Sequence, residues 1–160
     1  MRIPEHRLPL LLALGAALTV GAALLFEHGF GYAPCKLCHW QRVPYYAAIP
    51  LFLLPLLFGP RLIAPTLALF AALFLADAAI AAYHVGVEQS WWKGPATCTA
   101  LDFGSDPAAV LRRIMDAPVV RCDEIAWTFL GLSMAFWNMI IALGLAAGAL
   151  FGLMGKRKKT

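Results

Sequence analysis

The sequence predicts an all-α membrane protein, a bundle of four transmembrane helices with a short amphipathic helix in its second outer loop. Three observations predict it. Of the 160 residues, 61% are hydrophobic and only 14% are charged, with a mean hydropathy of +0.73, whereas soluble domains hold roughly 45–50% apolar residues. The apolar residues fall into four long runs, as membrane spans require. Basic residues gather on one side of the bundle those runs would form. Residues 1–160 are read as one membrane domain. The net charge of +4 is supplied by Lys156, Arg157, Lys158 and Lys159, directly after an apolar run. A basic cluster in that place reads as a cytoplasmic stop signal for the last helix, and no nucleic-acid partner is expected.

The first span is expected over Leu8 to Phe26, preceded by Arg2 and Arg7. Its unbroken length suits a retained helix of about 20 residues better than the short core of a signal peptide. Glu27, His28 and Gly29 end it, and a short outer loop over 27–42 carries Cys35 and Cys38. The second span, Val43 to Phe58, contains Pro44, Pro50 and Pro55. Prolines are tolerated in membrane helices whose neighbours re-satisfy the freed carbonyls, so a bent helix is expected, beginning as early as Cys38. Gly59-Pro60-Arg61 makes a tight turn. The third span, Leu62 to Tyr83, is interrupted by Asp77 alone. The fourth, Ala126 to Met154, exceeds the length a span needs and is expected to tilt or project.

Between the third and fourth lies the long outer loop, 84–125. Within it Asp106-Pro107 reads as an N-cap followed by proline in the first turn. Val110, Leu111, Ile114 and Met115 then share one face, and Pro118 ends the segment, so a short amphipathic helix on the membrane surface is expected. Arg2, Arg7, Arg61 and the terminal cluster fall on one side of this topology, which places both termini in the cytoplasm. All four cysteines then face outward, where disulfides persist.

The chemistry is expected in the thiols. Cys35 and Cys38 are a Cys-x-x-Cys pair, which serves as a redox couple, a metal half-site or a haem anchor. A cysteine at a helix N-terminus meets the positive end of the helix dipole, and a nearby cation further favours its thiolate. Cys38 has both in prospect, because Arg42 follows one turn later on the same face. The Arg42 guanidinium can hold an anionic sulfur or donate to a carbonyl of a lipid-soluble acceptor; the plainer alternative is an arginine snorkelling to the headgroups. His84, at the outer end of the third span, is positioned to approach an acceptor near Arg42. Cys98 and Cys122 are too far apart in sequence for a Cys-x-x-Cys couple. As a static disulfide they would tie the outer loop, stabilising it by about 3 kcal/mol. Two pairs on one face also allow a relay by thiolate attack on a disulfide, and Gly94-Pro95 and Gly104 around Cys98 favour the mobility a relay needs. Cys35, Cys38 and His39 match the haem c attachment pattern as well, but that reading leaves Cys98, Cys122 and Arg42 without a role. A metal held by Cys35, Cys38 and a histidine such as His28 or His84 lacks the second tight pair of structural zinc sites. Asp77 is an intramembrane carboxylate and a functional-site candidate by default, with Asn138 and Ser133 as candidate hydrogen-bond partners.

These residues carry a resemblance. Pro34-Cys35-x-x-Cys38 followed by Gln41-Arg42, Tyr83-His84-x-Gly86-Val87-Glu88, Gly94-Pro95-x-x-Cys98, and Cys122-Asp123-x-x-x-Trp127-x-Phe129-Leu130-Gly131-Leu132-Ser133-Met134 are together similar to the disulfide bond formation protein B (DsbB) family of bacterial inner-membrane thiol oxidases. The resemblance covers nearly the whole chain. It implies that a reduced periplasmic thioredoxin-like oxidant, DsbA or a dedicated relative, attacks Cys98. It further implies that Cys122 exchanges with the Cys35–Cys38 pair, and that Cys38 faces a bound quinone (ubiquinone or menaquinone) beside Arg42. DsbA is itself a strong oxidant at about −120 mV, so only a more oxidising sink regenerates it. His39-Trp40 departs from the family pattern, and the resemblance gives Asp77 no role. The rival expectations are a haem- or metal-binding membrane protein and a structural protein with inert disulfides.

Overall fold

A computed structural model describes residues 7–95 and 120–157. Cys98 and the amphipathic helix expected after Asp106 lie outside the described residues.

The first helix, α1, spans Leu8–Phe30, four residues further than the sequence reading placed its end. It stops where Gly31 turns left-handed at φ 75°, a conformation that glycine adopts without steric cost. Helix α2 begins at Lys36 and runs to Ala48, so the second helical run starts well before Val43. Cys35 is its N-cap, and its sulfur accepts the Cys38 N–H at 3.2 Å. The bend expected from the prolines is a break: a 3-10 turn over Ile49–Phe52 separates α2 from α3, Leu53–Phe58. Pro50 lies in the first turn of that 3-10 segment, where a missing N–H forfeits no bond.

After Gly59 and a 3-10 turn over Pro60–Leu62, α4 spans Ile63–Glu88. It therefore carries His84 and Glu88 on its last turns, where the sequence reading had already begun the outer loop. The chain then folds back on the helix end. The Trp91 N–H donates to the Gly86 carbonyl, and the Trp92 indole donates to the Tyr83 carbonyl at 2.9 Å while stacking on the Tyr83 ring.

The fourth run also starts later than its apolar character suggests. Residues 126–133 are not helical: β1, Thr128–Phe129, and β2, Leu132–Ser133, form a small antiparallel hairpin pairing Thr128 with Ser133. Leu130 and Gly131 both have positive φ, at 53° and 77°, as a tight type I′ hairpin turn demands. Ser133 then receives the Phe136 N–H on its hydroxyl, capping α5, Met134–Arg157.

Among the described residues, three helical stretches are long and apolar enough to cross a membrane: Leu8–Phe30, Pro60–Glu88 and Met134–Gly155. The most extensive contact is between α4 and α5. Small side chains let the helices approach, with Ala16, Ala81, Ala142, Ala146 and Ala149 almost wholly buried. The ends are set by antiparallel packing: Leu8 and Leu67 meet Gly152 at one end, while Phe26 and Trp127 lie 4.9 Å apart at the other. Cys35 and Cys122 are at this second end, buried in one cluster with Leu37 and Val87.

Candidate active site

The site begins with backbone geometry. Cys35 is extended, at φ −76° and ψ 174°, so its side chain caps the helix that follows. Cys38 is one turn further on. The two are free thiols with sulfurs 2.8 Å apart. Cys35 is buried and Cys38 half-buried. The Cys38 side chain, hydrogen-bonded to the Cys35 sulfur, pulls the Cys35 thiol down to about 4; burial opposes this, and His84 and the Cys38 N–H add to it. A thiolate is the nucleophilic form of cysteine, so the reduced pair is primed at Cys35.

Helix α4 brings His84 to the pair. Its Nε2 is 3.5 Å from the Cys35 sulfur and 3.9 Å from Glu88 Oε1 one turn along. Its other ring nitrogen, Nδ1, is 3.0 Å from Gln41 Nε2 of α2. Glu88 in turn accepts from the Ser133 hydroxyl, which ties the hairpin to α4. Ser133 is thus a partner of Glu88, while Asn138 is the residue that reaches Asp77, at 3.0 Å. Arg42 forms an ion pair with Glu27 of α1, so the described structure gives its guanidinium a carboxylate partner in place of a sulfur. His39 of the haem pattern is exposed.

These groups open onto a cavity of about 360 Å³ between α1, α2, α5 and the segment before the hairpin. Phe26, Trp127, Phe129 and Trp137 make much of its wall, with Cys38 and Arg42 also facing it. It is a largely apolar cavity with a thiol and a guanidinium at its wall. The donor atoms of Cys35, Cys38 and His84 also lie within 4.8 Å of one another, near enough for the reduced pair to share a soft cation.

Of the residues singled out from sequence, Cys35, Cys38, Arg42, His84 and Cys122 converge at this end of the bundle. Cys122 is disulfide-bonded. Sequence reasoning missed Glu27, Gln41 and Glu88 as site residues. Only Glu88 left a local signal, its i,i+4 spacing from His84; Glu27 and Gln41 meet their partners across helices.

The comparisons agree in one direction. The family model for disulfide bond formation protein DsbB matches residues 5–152. Disulfide bond formation protein B of Stutzerimonas stutzeri is 30% identical, over 96% of this chain and 98% of its own length. The protein of the same name from Xanthomonas euvesicatoria is 34% identical, over 92% and 89%. That of Methylococcus capsulatus is 33% identical, over 94% and 95%.

Proposed function

The chain belongs to the disulfide bond formation protein B family, and from that premise we propose that it is a bacterial inner-membrane thiol oxidase that reoxidises a DsbA-like periplasmic dithiol and passes the electrons to membrane quinone. The observation that carries this reading is the burial of Cys122 in one cluster with Cys35, which brings the outer-loop cysteine to the Cys-x-x-Cys pair.

The exchange runs in steps that conserve disulfides. A thiolate of the partner attacks Cys98 of a Cys98–Cys122 disulfide, forming a mixed disulfide and releasing Cys122 as thiolate. The second partner thiol, once deprotonated, attacks its own linked sulfur, so the partner leaves oxidised and Cys98 leaves as thiolate. Cys122 attacks the Cys35 sulfur of the Cys35–Cys38 disulfide, and Cys38 departs as thiolate. Cys98 then attacks Cys122, which restores the outer disulfide and frees Cys35. Reoxidation of the Cys35–Cys38 dithiol releases two electrons and two protons, which a bound quinone accepts. Arg42 is the donor available to a carbonyl oxygen there, the aromatic wall excludes water, and His84 attends the Cys35 sulfur. The quinone proposed is ubiquinone or menaquinone.

The broken helical run over 36–58 is proposed as the fourth span, since at about 1.5 Å per residue it reaches across the roughly 30 Å hydrocarbon core. Both termini then lie in the cytoplasm and the thiols in the periplasm. The test is a trapped intermediate. In the Cys38→Ser/Cys98→Ser variant, oxidation is expected to link Cys35 to Cys122, read as one disulfide-joined peptide pair by mass spectrometry. Two unlinked thiols in a folded variant would contradict the exchange.

A further inference from the structure

Asp77 is wholly buried in the middle of α4, and no ion pair reaches it among the described residues. Its oxygen Oδ2 accepts from Asn138 Nδ2 at 3.0 Å, while Oδ1 has no hydrogen-bond partner there. The second hydrogen of the Asn138 amide goes to Gln41 Oε1 at 3.2 Å, and Asn138 Oδ1 receives the Tyr45 hydroxyl at 2.8 Å. A carboxylate at Asp77 can only accept, so the Asn138 amide must present its NH2 group there, and this sets its direction. Gln41 must therefore turn its oxygen to Asn138 and its NH2 group to His84. A donor 3.0 Å from His84 Nδ1 requires that nitrogen to carry no proton.

We infer that Asp77, acting through Asn138 and Gln41, is a positioning residue that locks His84 as the Nε2–H tautomer, a hydrogen-bond donor aimed at the Cys35 sulfur. With Asp77 ionised, the opposite direction would turn the Asn138 carbonyl toward the carboxylate and leave two acceptors face to face in a buried site; only a proton on Oδ2 would permit it, and the tautomer of His84 reads out which of the two holds. The chain thus gives a purpose to an intramembrane carboxyl that has no place in the thiol exchange itself. It also assigns His84 a role. Nε2 faces both Cys35 and Glu88, and with its proton already in place it steadies a Cys35 thiolate and does not collect the thiol's proton. The partner of a histidine's far nitrogen sets what the near one can do, as at metal sites.

The inference concerns the thiol site of the proposed oxidase, but its test requires no turnover. The full-length protein, labelled with 15N at its four histidines, is examined by proton–nitrogen correlation through the ring, with His84→Asn assigning the signal. The expected result at neutral pH is a protonated Nε2 and a bare Nδ1 on His84. The near-isosteric Asp77→Asn, which can present either an oxygen or an NH2 group to Asn138, is expected to give a mixture of tautomers. It should also shift the pH midpoint of Cys35 alkylation upward by up to about one unit, the scale of losing one charge-assisted hydrogen bond. A protonated Nδ1 in the wild-type protein would overturn the inference, and so would a pure Nε2–H tautomer in folded Asp77→Asn. Absence of quinone reduction with the tautomer as expected would count against the oxidase reading and leave this one standing.

Discussion

The sulfur of Cys35 accepts a backbone N–H at the start of α2, lies against Cys38 and faces the His84 ring, and each contact favours its thiolate over its thiol. Together they bring the group to about 4 against the opposing effect of burial. The sign follows directly: lowering the pKa extends the thiolate downward in pH, so reactivity is kept in acid and lost only near the lowered value. Alkylation of Cys35 in the reduced protein, followed peptide by peptide, is expected to be flat from pH 6 upward and half-maximal near the lowered value. An ordinary thiol titrates at about 8.5, and a midpoint there would contradict the geometry. At this scale much was legible. The Cys-x-x-Cys spacing and the arginine one turn later announced a helix N-terminus and a cation. What Arg42 does was not legible, because Glu27 lies on another helix and no local pattern links them. The sequence reading centred on Cys38 as the favoured thiolate, whereas capping geometry puts that state on Cys35.

The first, third and fourth helices followed from apolar run length with errors at their ends, whereas the second run breaks internally at Ile49–Phe52. Hydropathy cannot see that Ser133 caps α5 or that Leu130-Gly131 is a turn, since Trp127, Phe129, Leu130 and Leu132 are as apolar as the span that follows. In the same way α4 runs past Tyr83 because His84 and Glu88 find partners inside the bundle, so their polarity does not end the helix. Gly86 marks another tertiary requirement. The Trp92 ring lies where a Cβ on residue 86 would project, and that ring is held by its bond to the Tyr83 carbonyl. Gly86→Ala is expected to displace Trp92 and unseat the start of the long outer loop, lowering stability by about 1–3 kcal/mol, the usual range for overpacking. A lowered Tm, with a changed Trp92 emission in a variant that keeps Trp92 as its one tryptophan, checks it. An unchanged Tm would show that the ring is not seated there.

For the whole molecule, composition and run length were enough for the membrane class, while the proposed orientation rests on positive charge and cysteine placement. The assembled site was beyond reach of pattern, because its parts come from α1, α2, α4, α5 and the segment around Cys122. Only packing brings Cys122 beside Cys35 and closes an aromatic-walled slot against Cys38 and Arg42. The proposed oxidase needs that slot for its lipid-soluble acceptor, whereas a membrane protein with inert staples does not. The direct measurement is the absorbance of a soluble quinone mixed with the purified protein and a reduced DsbA-like partner. The account predicts one quinone reduced per partner disulfide formed, with turnover reduced at least a hundredfold (about 2.7 kcal/mol in barrier) in Cys38→Ser and in Cys98→Ser. Quinone reduction that survives in Cys38→Ser, or none at all by the folded wild-type protein, would contradict it.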